Sequence, residues 1–395
     1  PPRSTLFPYT TLFRSIQYGM VGGGEGAFIG EIHRMAARLD NHFELVAGAF
    51  SAEAERSKRS GTTLGLLEDR CYADYQEMVS KELAREQPIE AVVIVTPNHL
   101  HLPIAEVFLK AGIHVICDKP LSAKLEEAHS FANFARQADK IFAITYNYSG
   151  YPLVRHAREI IAQGELGEIR TVQIEYAQDW LSGKLEESGH KQAVWRTDPM
   201  QAGDGGCLGD IGTHAFHLAC FVSGLKPKAI LADLKHFVEG RNVDDNAHIL
   251  LRFSGGAKGM LWVSQVAPGN ENGLRLRIYG SKAGLEWSQE NPNYLKLSSL
   301  GEAPKVLGRG SPELSAAAAK MTRVPPGHPE GYIEGFANIY NEIAQAIYAT
   351  RIGKPFPQGV LFPDLDDGIA GMEFIDAALK SNKNNSEWVS LVGHE

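Results

Sequence analysis

A glycine-rich segment between an apolar run and an amphipathic stretch constrains the fold of this chain more than any other feature. The apolar run Ile16–Val21 leads directly into residues 22–27, GGGEGA, and apolar residues then recur at helical spacing from Phe28 to Leu39. This order predicts a strand, a glycine loop and a helix. Since the free N–H groups at a helix start bind phosphates, the pattern predicts a dinucleotide site, although a glycine-rich loop alone could be an ordinary turn.

The loop residues can be assigned to the G-x-G-x-x-A fingerprint of dinucleotide-binding proteins. Gly22 would form the tight turn, and Gly24 would let the backbone approach a pyrophosphate. Ala27 would permit close packing of the helix on the strand. Glu25 lies inside the loop and is expected at the cofactor with these three residues.

Short apolar runs alternate with helical stretches as far as residue 146. The candidate strands are Ile16–Val21, Leu45–Phe50, Ala91–Thr96, His114–Cys117 and Ile141–Thr145. One helix is predicted with Pro103 in its first turn, and another with Ser122 as its N-cap. Continuous runs such as AVVIVT are typical of strands covered on both faces by crossover helices. The chain is therefore predicted to be α/β, with a doubly wound parallel sheet of the Rossmann type over residues 16–146.

Beyond residue 147 the apolar residues alternate with a period of two. The clearest runs are 172–176, 229–238, 247–253, 259–266, 274–278, 284–287 and 294–297. They predict an α+β domain over residues 147–395 with a large, mostly antiparallel open sheet, covered by helices on one face. The other face would be either solvated or used for oligomerisation, because an open sheet with aromatic content would otherwise expose too much apolar surface. The C-terminal segment of this domain could pack back on the first domain. Residues 299–331, rich in Gly, Pro and Ser, are predicted to be a long covering loop.

Charge and composition exclude several classes of protein. The chain has 395 residues, too many for one ordinary domain, and a net charge of −8. Nucleic acid and anionic membranes are therefore disfavoured as partners, and no apolar run is long enough to span a bilayer. Four scattered cysteines predict neither a disulfide framework nor a cysteine zinc site. A cytoplasmic location and a small-molecule partner are expected.

Residues 1–15 read PPRSTLFPYTTLFRS and do not fit the pattern that begins at Ile16. The tripeptide TLF occurs twice, and neither an apolar core nor a small-residue cleavage site of a signal peptide is present. We interpret the segment as a non-native or disordered leader, for example a translated cloning scar. A genuine N-terminal arm is the alternative.

The end of the second predicted strand bears on the choice between NAD and NADP. NAD-binding proteins usually have an acidic residue here for the ribose 2′-hydroxyl, but this chain has Ser51. Arg56, Lys58 and Arg59 follow, and they could bind a 2′-phosphate or form the solvated face of a helix. NAD(H) is the expected cofactor, with NADP(H) as the alternative.

Two clusters carry residues suited to chemistry. Asp118 and Lys119 follow the strand His114–Cys117, at the edge where doubly wound sheets bind ligands. Pro120 favours an extended backbone at Lys119, so that the lysine could project into the site or could be a surface residue.

The second cluster is Asp210 and His214, spaced i and i+4 in a glycine-rich stretch. A carboxylate and an imidazole placed this way can share a hydroxyl-bearing substrate, although a helix cap and a packed histidine are alternatives. The pairs His99/His101 and His214/His217 lack a third ligand at suitable spacing, so no metal site is predicted.

The motifs together resemble those of the Gfo/Idh/MocA family of nicotinamide-dependent sugar and cyclitol oxidoreductases. Besides the glycine loop, the segments that carry the resemblance are Val95–Asn98 (VTPN), Ala111–Ser122 (AGIHVICDKPLS), Trp195–Pro199 (WRTDP) and Gly209–His214 (GDIGTH). The resemblance covers the chain from Ile16 onward, and the chain looks most like the inositol and levoglucosan dehydrogenases of the family. It implies a homodimer or homotetramer formed through the open sheet of the second domain. The E-K-P motif of the family appears here with Asp118 in place of Glu.

The resemblance implies roles for individual residues. Lys119 matches the active-site lysine, Asp210 the carboxylate that orients the substrate, and His214 the catalytic base. Besides the glycine loop, the residues implied at the cofactor are Ser51, Arg56, Thr96, Pro97, Asn98, His101, Asp118, Lys119 and Asn147. Those implied at the substrate, with Asp210 and His214, are Tyr146, Trp195, Arg196 and His328. Arg196 could equally be an ion-pair partner.

The expected activity is hydride transfer between a CH–OH group of a sugar, anhydrosugar or cyclitol and NAD(P)⁺. One alternative is a redox-neutral glycosidase that oxidises its sugar transiently, since NAD-dependent glycosidases exist. A second alternative is a non-catalytic dinucleotide sensor, in which Lys119 and His214 would have no turnover to support.

Overall fold

The computed structural model describes residues 14–391. The interpretation of residues 1–15 as a leader therefore falls, for residues 1–13, outside the described residues. Arg14 is described and forms an ion pair with Glu90 at 3.0 Å, and the first strand begins at Ile16.

Strands and helices alternate through the first part of the chain and segregate in the second. The strands are β1 (Ile16–Gly22), β2 (Phe43–Ala49), β3 (Ala91–Val95), β4 (His114–Cys117), β5 (Phe142–Ile144), β6 (Ile169–Ala177), β7 (Pro227–Lys235), β8 (Asn246–Phe253), β9 (Lys258–Ser264), β10 (Gly273–Gly280), β11 (Ala283–Ser288), β12 (Tyr294–Ser299), β13 (Lys305–Gly308) and β14 (Val389–Ser390). The helices are α1 (Phe28–Leu39), α2 (Ala54–Thr63), α3 (Tyr75–Leu83), α4 (His101–Lys110), α5 (Leu125–Ala135), α6 (Pro152–Ala162), α7 (Lys191–Arg196), α8 (Pro199–Ala202), α9 (Thr213–Ser223), α10 (Ala316–Lys320), α11 (Tyr332–Arg351) and α12 (Leu365–Lys383).

The first sheet is parallel, with the strand order β2-β1-β3-β4-β5 in the described part of the chain. The chain reverses direction across the sheet between β1 and β3, and Gly22 at the end of β1 lies opposite Val95 at the end of β3. Because ligands of such sheets bind beyond the carboxyl ends of the strands at this reversal, the topology places a site next to the glycine loop. The prediction of a doubly wound parallel sheet is confirmed.

The close approach between α1 and the glycine loop is made by Gly30, three residues after Ala27. Ala27 is the N-cap of α1 and is half-buried. A Cβ atom on Gly30 would lie 2.4 Å from the Gly23 Cα, so the helix packs against the loop through Gly30. The tightest contact between this helix and the loop therefore falls at Gly30, while Ala27 lines the cleft beside the loop and its packing role stays a prediction.

The second sheet has the order β13-β12-β11-β10-β6-β9-β8-β7-β14 within residues 14–391. Its pairs are antiparallel except for β6 with β9, which are parallel. Helices α6, α9 and α12 cover one face, onto which β6 turns the buried residues Val172, Ile174 and Tyr176. The prediction of a large, mostly antiparallel sheet covered on one face is confirmed.

Two local predictions are wrong. Ser122 is not the N-cap of α5, which begins three residues later with Lys124 at its cap; the Ser122 hydroxyl instead accepts from the Lys124 N–H. Residues 299–331 are not an unstructured loop throughout, because β13 pairs with β12 and α10 follows. A buried ion pair between Arg309 and Glu330, 2.8 Å apart, fixes the end of this segment.

Helix α11 returns the chain to the first sheet. Its residues Phe336, Tyr340 and Ile343 share one apolar cluster with Ile16 and Tyr18 of β1. A polar contact accompanies the packing: His33 Nδ1 of α1 lies 2.7 Å from the Tyr340 hydroxyl, and His33 is fully buried. The two parts of the chain are thus joined through a common core.

A buried histidine in β4 predicts a pH dependence of stability. His114 is 7 % exposed, and its Nδ1 accepts the Ile141 N–H at 3.0 Å. Burial, with the charges of Lys140 and Arg351, lowers the pKa of His114 to about 4. Since an unfolded histidine has a pKa of about 6.5, the unfolded chain binds the proton first, and stability is lost as the pH falls from about 6.5 to about 4.

We expect His114→Gln, which keeps an acceptor without titrating, to lose about 2 kcal/mol less of its free energy of unfolding between pH 7.5 and 5 than the wild type. Urea unfolding at both pH values measures this difference. The exposed His236 provides the control, because His236→Gln should follow the wild type. An equal loss in wild type and His114→Gln would contradict the prediction.

Candidate active site

A cleft of about 620 Å³ extends along the carboxyl edge of the first sheet. This dinucleotide cleft runs from the glycine loop at Gly22–Gly24 to Lys119 and Asp210. Its walls come from both parts of the chain, because Trp195 and Arg196 of α7 face the strand ends of the first sheet. The lining therefore follows the carboxyl ends of the strands from the glycine loop onward, which is where a dinucleotide binds in such a sheet.

The glycine loop forms the first end of the cleft. Gly22 has a φ of +81°, which makes the tight turn, and a Cβ atom on it would lie 2.8 Å from the Val95 carbonyl oxygen. A Cβ on Gly24 would lie 2.8 Å from the Phe50 carbonyl oxygen, so that position also leaves no room for a side chain. Both glycines line the cleft, as predicted, and the bare backbone there is suited to a pyrophosphate.

Basic side chains border the same end. Ser51 and Arg56 line the cleft as predicted, and Lys191, which the sequence reasoning missed, lines it from the other part of the chain. Arg56 and Lys191 both donate to the Glu25 carbonyl, at 2.8 and 3.3 Å. The Glu25 side chain faces away from the cleft toward Arg59, 3.6 Å from its guanidinium, so only the Glu25 backbone takes part.

The predicted residues at the strand ends separate into two groups. Thr96, Pro97 and Asn98 line the cleft. His101 does not: it is 1 % exposed, and its ring nitrogens lie 2.8 and 2.9 Å from the carbonyls of Pro120 and Thr96. His101 therefore holds the two strand ends together rather than bordering a ligand. Asn147 is also 1 % exposed and is not among the residues that line the cleft.

Lys119 and Asp210 meet at the second end of the cleft. Lys119 Nζ donates to the Asp210 carbonyl at 2.7 Å and to Asp210 Oδ1 at 3.0 Å. Oδ2 accepts from Gln265 Nε2 at 2.9 Å and from Arg196 Nε at 3.2 Å. Burial raises the pKa of Asp210, but the charges of Lys119 and Arg196 outweigh it and hold that pKa well below its usual range. Asp210 is thus a fixed anion whose oxygens orient two cations and an amide.

A π-helical turn, Leu208–Gly212, carries Asp210 into this position. The i, i+4 spacing of Asp210 and His214 predicts that both lie on one face of a regular helix. However, α9 begins only at Thr213, after the π-helical turn. No hydrogen bond joins Asp210 to His214 within the described residues. The π-helical turn instead places both the carbonyl and the carboxylate of Asp210 against Lys119. Such turns are frequent at functional sites.

His214 lies in an aromatic wall beside this pair. The rings of Tyr148, Tyr146 and Tyr176 approach its imidazole edge-on, with centroids 4.9, 5.6 and 6.4 Å away. Its Nδ1 has no hydrogen-bond partner in the described part of the chain, and the residue is 7 % exposed. Burial, with the charge of Lys119, lowers the pKa of His214 well below its ordinary value, so the ring is neutral at physiological pH. A neutral imidazole is suited to accepting a proton.

Asp118 lines the cleft beside Lys119. Its Oδ1 accepts from the Thr145 hydroxyl at 2.9 Å and lies 3.9 Å from His33 Nε2. Burial raises the pKa of Asp118, but the neighbouring His33 ring and the charge of Lys119 outweigh this and hold that pKa far below its usual range. Asp118 is therefore an anion that lies close to His33 of α1. This contact was not predicted from the sequence.

The remaining predicted substrate residues lie in three places. Trp195 and Arg196 line the dinucleotide cleft, and Arg196 stacks on Trp195 at 4.2 Å while it pairs with Asp210. Tyr146 is 1 % exposed and lies behind His214, stacked on His217 at 4.5 Å. His328 is not close to these groups: it lies in an exposed loop that lines a separate cleft.

Three residues next to His214 or Asp210 were not predicted from the sequence, namely Tyr148, Tyr176 and Gln265. Tyr176 carried a usable signal, because it lies on the predicted inward face of a strand although it is polar. Within residues 14–391 no group of three or more His, Cys, Asp or Glu side chains is arranged to hold a metal ion. None of the described helices combines the length and apolar character that crossing a membrane requires.

The fold and the cleft define an oxidoreductase with an NAD-binding Rossmann domain. Residues 16–146 match the family model described in those terms, and residues 154–286 match the model of the GFO/IDH/MocA C-terminal domain. The chain belongs to the Gfo/Idh/MocA family of oxidoreductases, and the resemblance of its motifs is confirmed.

Similar proteins of known structure match almost the whole chain. An oxidoreductase from Sinorhizobium meliloti is 51% identical, with a TM-score of 0.87 over 95% of this chain and 99% of that one. An inositol dehydrogenase homologue from Azotobacter vinelandii, complexed with NAD⁺, is 38% identical, with a TM-score of 0.92 over 95% and 97%. Its complex with NADH and myo-inositol gives 37% and 0.90 over the same shares. The uncharacterized oxidoreductase YfiI of Bacillus subtilis is 38% identical over 96% of this chain and 97% of its own length.

Proposed function

We propose that the protein transfers a hydride between a CH–OH group of a sugar, anhydrosugar or cyclitol and NAD(P)⁺. The observation that carries the proposal is the convergence of Lys119, from the first sheet, with Asp210, from the second part of the chain, at one end of the dinucleotide cleft. The myo-inositol complex of the Azotobacter homologue supports a polyol substrate. We also propose that residues 16–146 bind the dinucleotide and that residues 147–395 bind the substrate and form the oligomer.

The side chains suggest how the reaction would proceed. Lys119 uses two donors on Asp210, and its third donor, which bonds to none of the described residues, would bind the substrate oxygen and stabilise negative charge that develops there. His214, held neutral by its surroundings, would accept the hydroxyl proton as a general base. Asp210 fixes Lys119 and Arg196 in place. When bound, the dinucleotide supplies the hydride acceptor.

A substrate panel tests this proposal. Inositols, anhydrosugars and aldoses are incubated with NAD⁺ or NADP⁺, and the reduced dinucleotide is followed by absorbance over many turnovers. Sustained reduction with at least one of these polyols is expected. Cleavage of aryl glycosides without added or consumed dinucleotide would instead support the redox-neutral glycosidase, and the absence of either reaction would support the sensor.

We propose NAD(H) as the cofactor, with Arg56 serving to hold the glycine loop. Arg56 donates to the Glu25 carbonyl at 2.8 Å, so its removal should loosen the backbone that receives the pyrophosphate. We expect Arg56→Ala to weaken binding of NAD⁺ and NADP⁺ alike, by about tenfold, the value of one charge-assisted hydrogen bond. Isothermal titration calorimetry measures both affinities.

The neighbouring Arg59 is the matched control, because it pairs with the Glu25 side chain outside the cleft. Arg59→Ala should change either affinity by less than threefold or so. A loss confined to NADP⁺ in Arg56→Ala would contradict this role and assign Arg56 to a 2′-phosphate.

We propose a homodimer or homotetramer formed through the uncovered face of the second sheet. That face carries Leu250, Met260 and Tyr279, which are 43 to 48 % exposed, beside the stacked rings of His248 and Trp262. Apolar groups of this size on a sheet face favour burial between copies. We also propose a cytoplasmic location, which is supported by four cysteines that are all unpaired.

A further inference from the structure

Asp244 is a buried carboxylate outside the lining of the dinucleotide cleft. It is 8 % exposed and lies two residues before β8, a strand that pairs with both β7 and β9 in the second sheet. Its carboxylate is bonded to residues 206–208, the segment that leads into the π-helical turn. A residue anchored on a central strand thus contacts the backbone just before Asp210.

Three donors of this segment bond to the Asp244 carboxylate. Oδ1 accepts the Gly206 N–H at 2.8 Å, and Oδ2 accepts the Leu208 N–H at 2.8 Å and the Cys207 thiol at 3.0 Å. The backbone carbonyl of Asp244 accepts the Cys207 N–H at 2.9 Å. A Cβ atom on Gly206 would lie 2.1 Å from that carbonyl oxygen, so the two backbones are in direct contact. Asp244 therefore fixes three successive residues.

The carboxylate occupies this place at a cost in stability. Burial raises the pKa of Asp244, and the donors lower it by less, so the net shift is upward. A folded state that binds a proton more readily than the unfolded chain is destabilised when the group is ionised. The contacts nevertheless require the ionised form, because all three partners donate. Asp244 therefore contributes the position of the segment rather than stability.

The segment that Asp244 fixes carries Asp210. The π-helical turn begins at Leu208, and the Asp210 N–H donates back to the Gly206 carbonyl at 3.0 Å. Lys119 Nζ bonds to two oxygens of Asp210, one in the backbone and one in the side chain. A rotation of the turn would displace both oxygens together. The surroundings of the lysine ammonium therefore depend on where the segment is held.

We propose that Asp244 is a positioning residue for the reaction at Lys119. Its carboxylate, anchored beside β8, sets the π-helical turn so that the carbonyl and the carboxylate of Asp210 both hold the ammonium group. The inference rests on the proposed dehydrogenase function and assigns the support of its lysine to a residue outside the lining of the cleft.

Asp244→Asn tests the inference, because asparagine keeps the size of the side chain but directs an NH₂ group at donors. We expect kcat with the best polyol of the panel to fall about 10²-fold, the effect of a misplacement of about 1 Å at the site. The affinity for NAD⁺, measured by calorimetry, should change less than about twofold, since Asp244 does not line the dinucleotide cleft. An unchanged kcat would overturn the inference.

A double-mutant cycle with Lys119→Met separates positioning from general support of the fold. If Asp244 acts through the lysine, Asp244→Asn should lower the residual kcat of Lys119→Met by less than about threefold. Losses that multiply in the double variant would mean that Asp244 does not act through Lys119. That result would overturn the inference and leave the dehydrogenase function standing.

Asp245→Asn is the matched control. Asp245 is 1 % exposed, and its carboxylate accepts bonds of the same kind from residues outside the π-helical turn. The donors are the Phe237 and Val238 N–H groups, at 2.8 and 3.0 Å, and Arg241 at 3.3 Å. Asp245→Asn should keep kcat within about threefold of the wild type. A fall in kcat equal to that of Asp244→Asn would overturn the inference.

Gly206→Ala displaces the same segment from the opposite side and decides the question if Asp244→Asn does not fold. Its Cβ would press on the Asp244 carbonyl, so the same lowered kcat, unchanged NAD⁺ affinity and absence of further loss with Lys119→Met are expected. A wild-type kcat in Gly206→Ala would overturn the inference. A wild-type enzyme that turns over no polyol would overturn the dehydrogenase function and the inference with it.

Discussion

Replacing Lys119 by methionine is expected to lower kcat by about 10³-fold while the affinity for the dinucleotide changes less than fivefold or so. Methionine keeps the length and apolar stem of the side chain and removes the ammonium that stabilises the substrate oxygen. Asp210 keeps its bonds to Arg196 and Gln265 in the variant, so the site should stay assembled. Steady-state kinetics with the best substrate of the panel, together with calorimetric titration of NAD⁺, measure the two quantities.

Lys191→Met is the matched control for this experiment. Lys191 lines the opposite end of the same cleft and donates to the Glu25 carbonyl at 3.3 Å. Its loss should raise the KM for the dinucleotide and leave kcat nearly unchanged. If Lys119→Met and Lys191→Met gave the same kinetic pattern, Lys119 would have no role in the chemical step.

Substituting His214 by asparagine is expected to reduce kcat/KM by about 10³-fold, since general-base catalysis contributes ~10²–10⁴-fold. The wild-type enzyme should show a second effect in its pH profile. Burial and the charge of Lys119 lower the pKa of His214, while Asp118 and Asp210 raise it, and the net shift is downward. A base with a lowered pKa remains deprotonated in more acidic solution, so the acidic limb of kcat/KM should lie below pH 6.5.

The charge of Lys119 provides an internal test of this assignment. Without the nearby ammonium the pKa of His214 rises, so the acidic limb in Lys119→Met should move to higher pH than in the wild type. Residual activity of the variant, measured between pH 5 and 9, would show the displacement. An acidic limb that does not move, or one that persists in His214→Asn, would mean that another group is the base.

Much of the fold was predictable because its signals are local. Continuous apolar runs and a glycine loop indicated the parallel sheet, and period-two alternation indicated the second sheet with the inward face of Val172, Ile174 and Tyr176. The strand within residues 299–331 was not predictable, because β13 is a four-residue edge strand in a Gly- and Pro-rich stretch. Its pairing with β12 produces no clear alternation of apolar and polar residues in the sequence.

The individual residues of the candidate site were predictable from the sequence, but the contacts between them were not. Lys119 and Asp210 stood out from their neighbours in sequence, yet their 3.0 Å approach across 91 positions depends on how two sheets pack. The π-helical turn at Leu208–Gly212 directs both the carbonyl and the carboxylate of Asp210 to Lys119, which helical spacing could not anticipate. His33 was missed because an inward histidine on an amphipathic helix gives the same pattern as any core residue.

The return of α11 to the first sheet bears on how the molecule could be dissected. A fragment ending near residue 146 would keep the whole nucleotide fingerprint but would leave Ile16, Tyr18 and their neighbours without the cover of Phe336 and Tyr340. Such a fragment would expose the apolar surface that α11 covers in the intact protein. We expect it to aggregate instead of binding NAD⁺. The point where the hydrophobic period changes along the chain is therefore not a place where the protein can be cut.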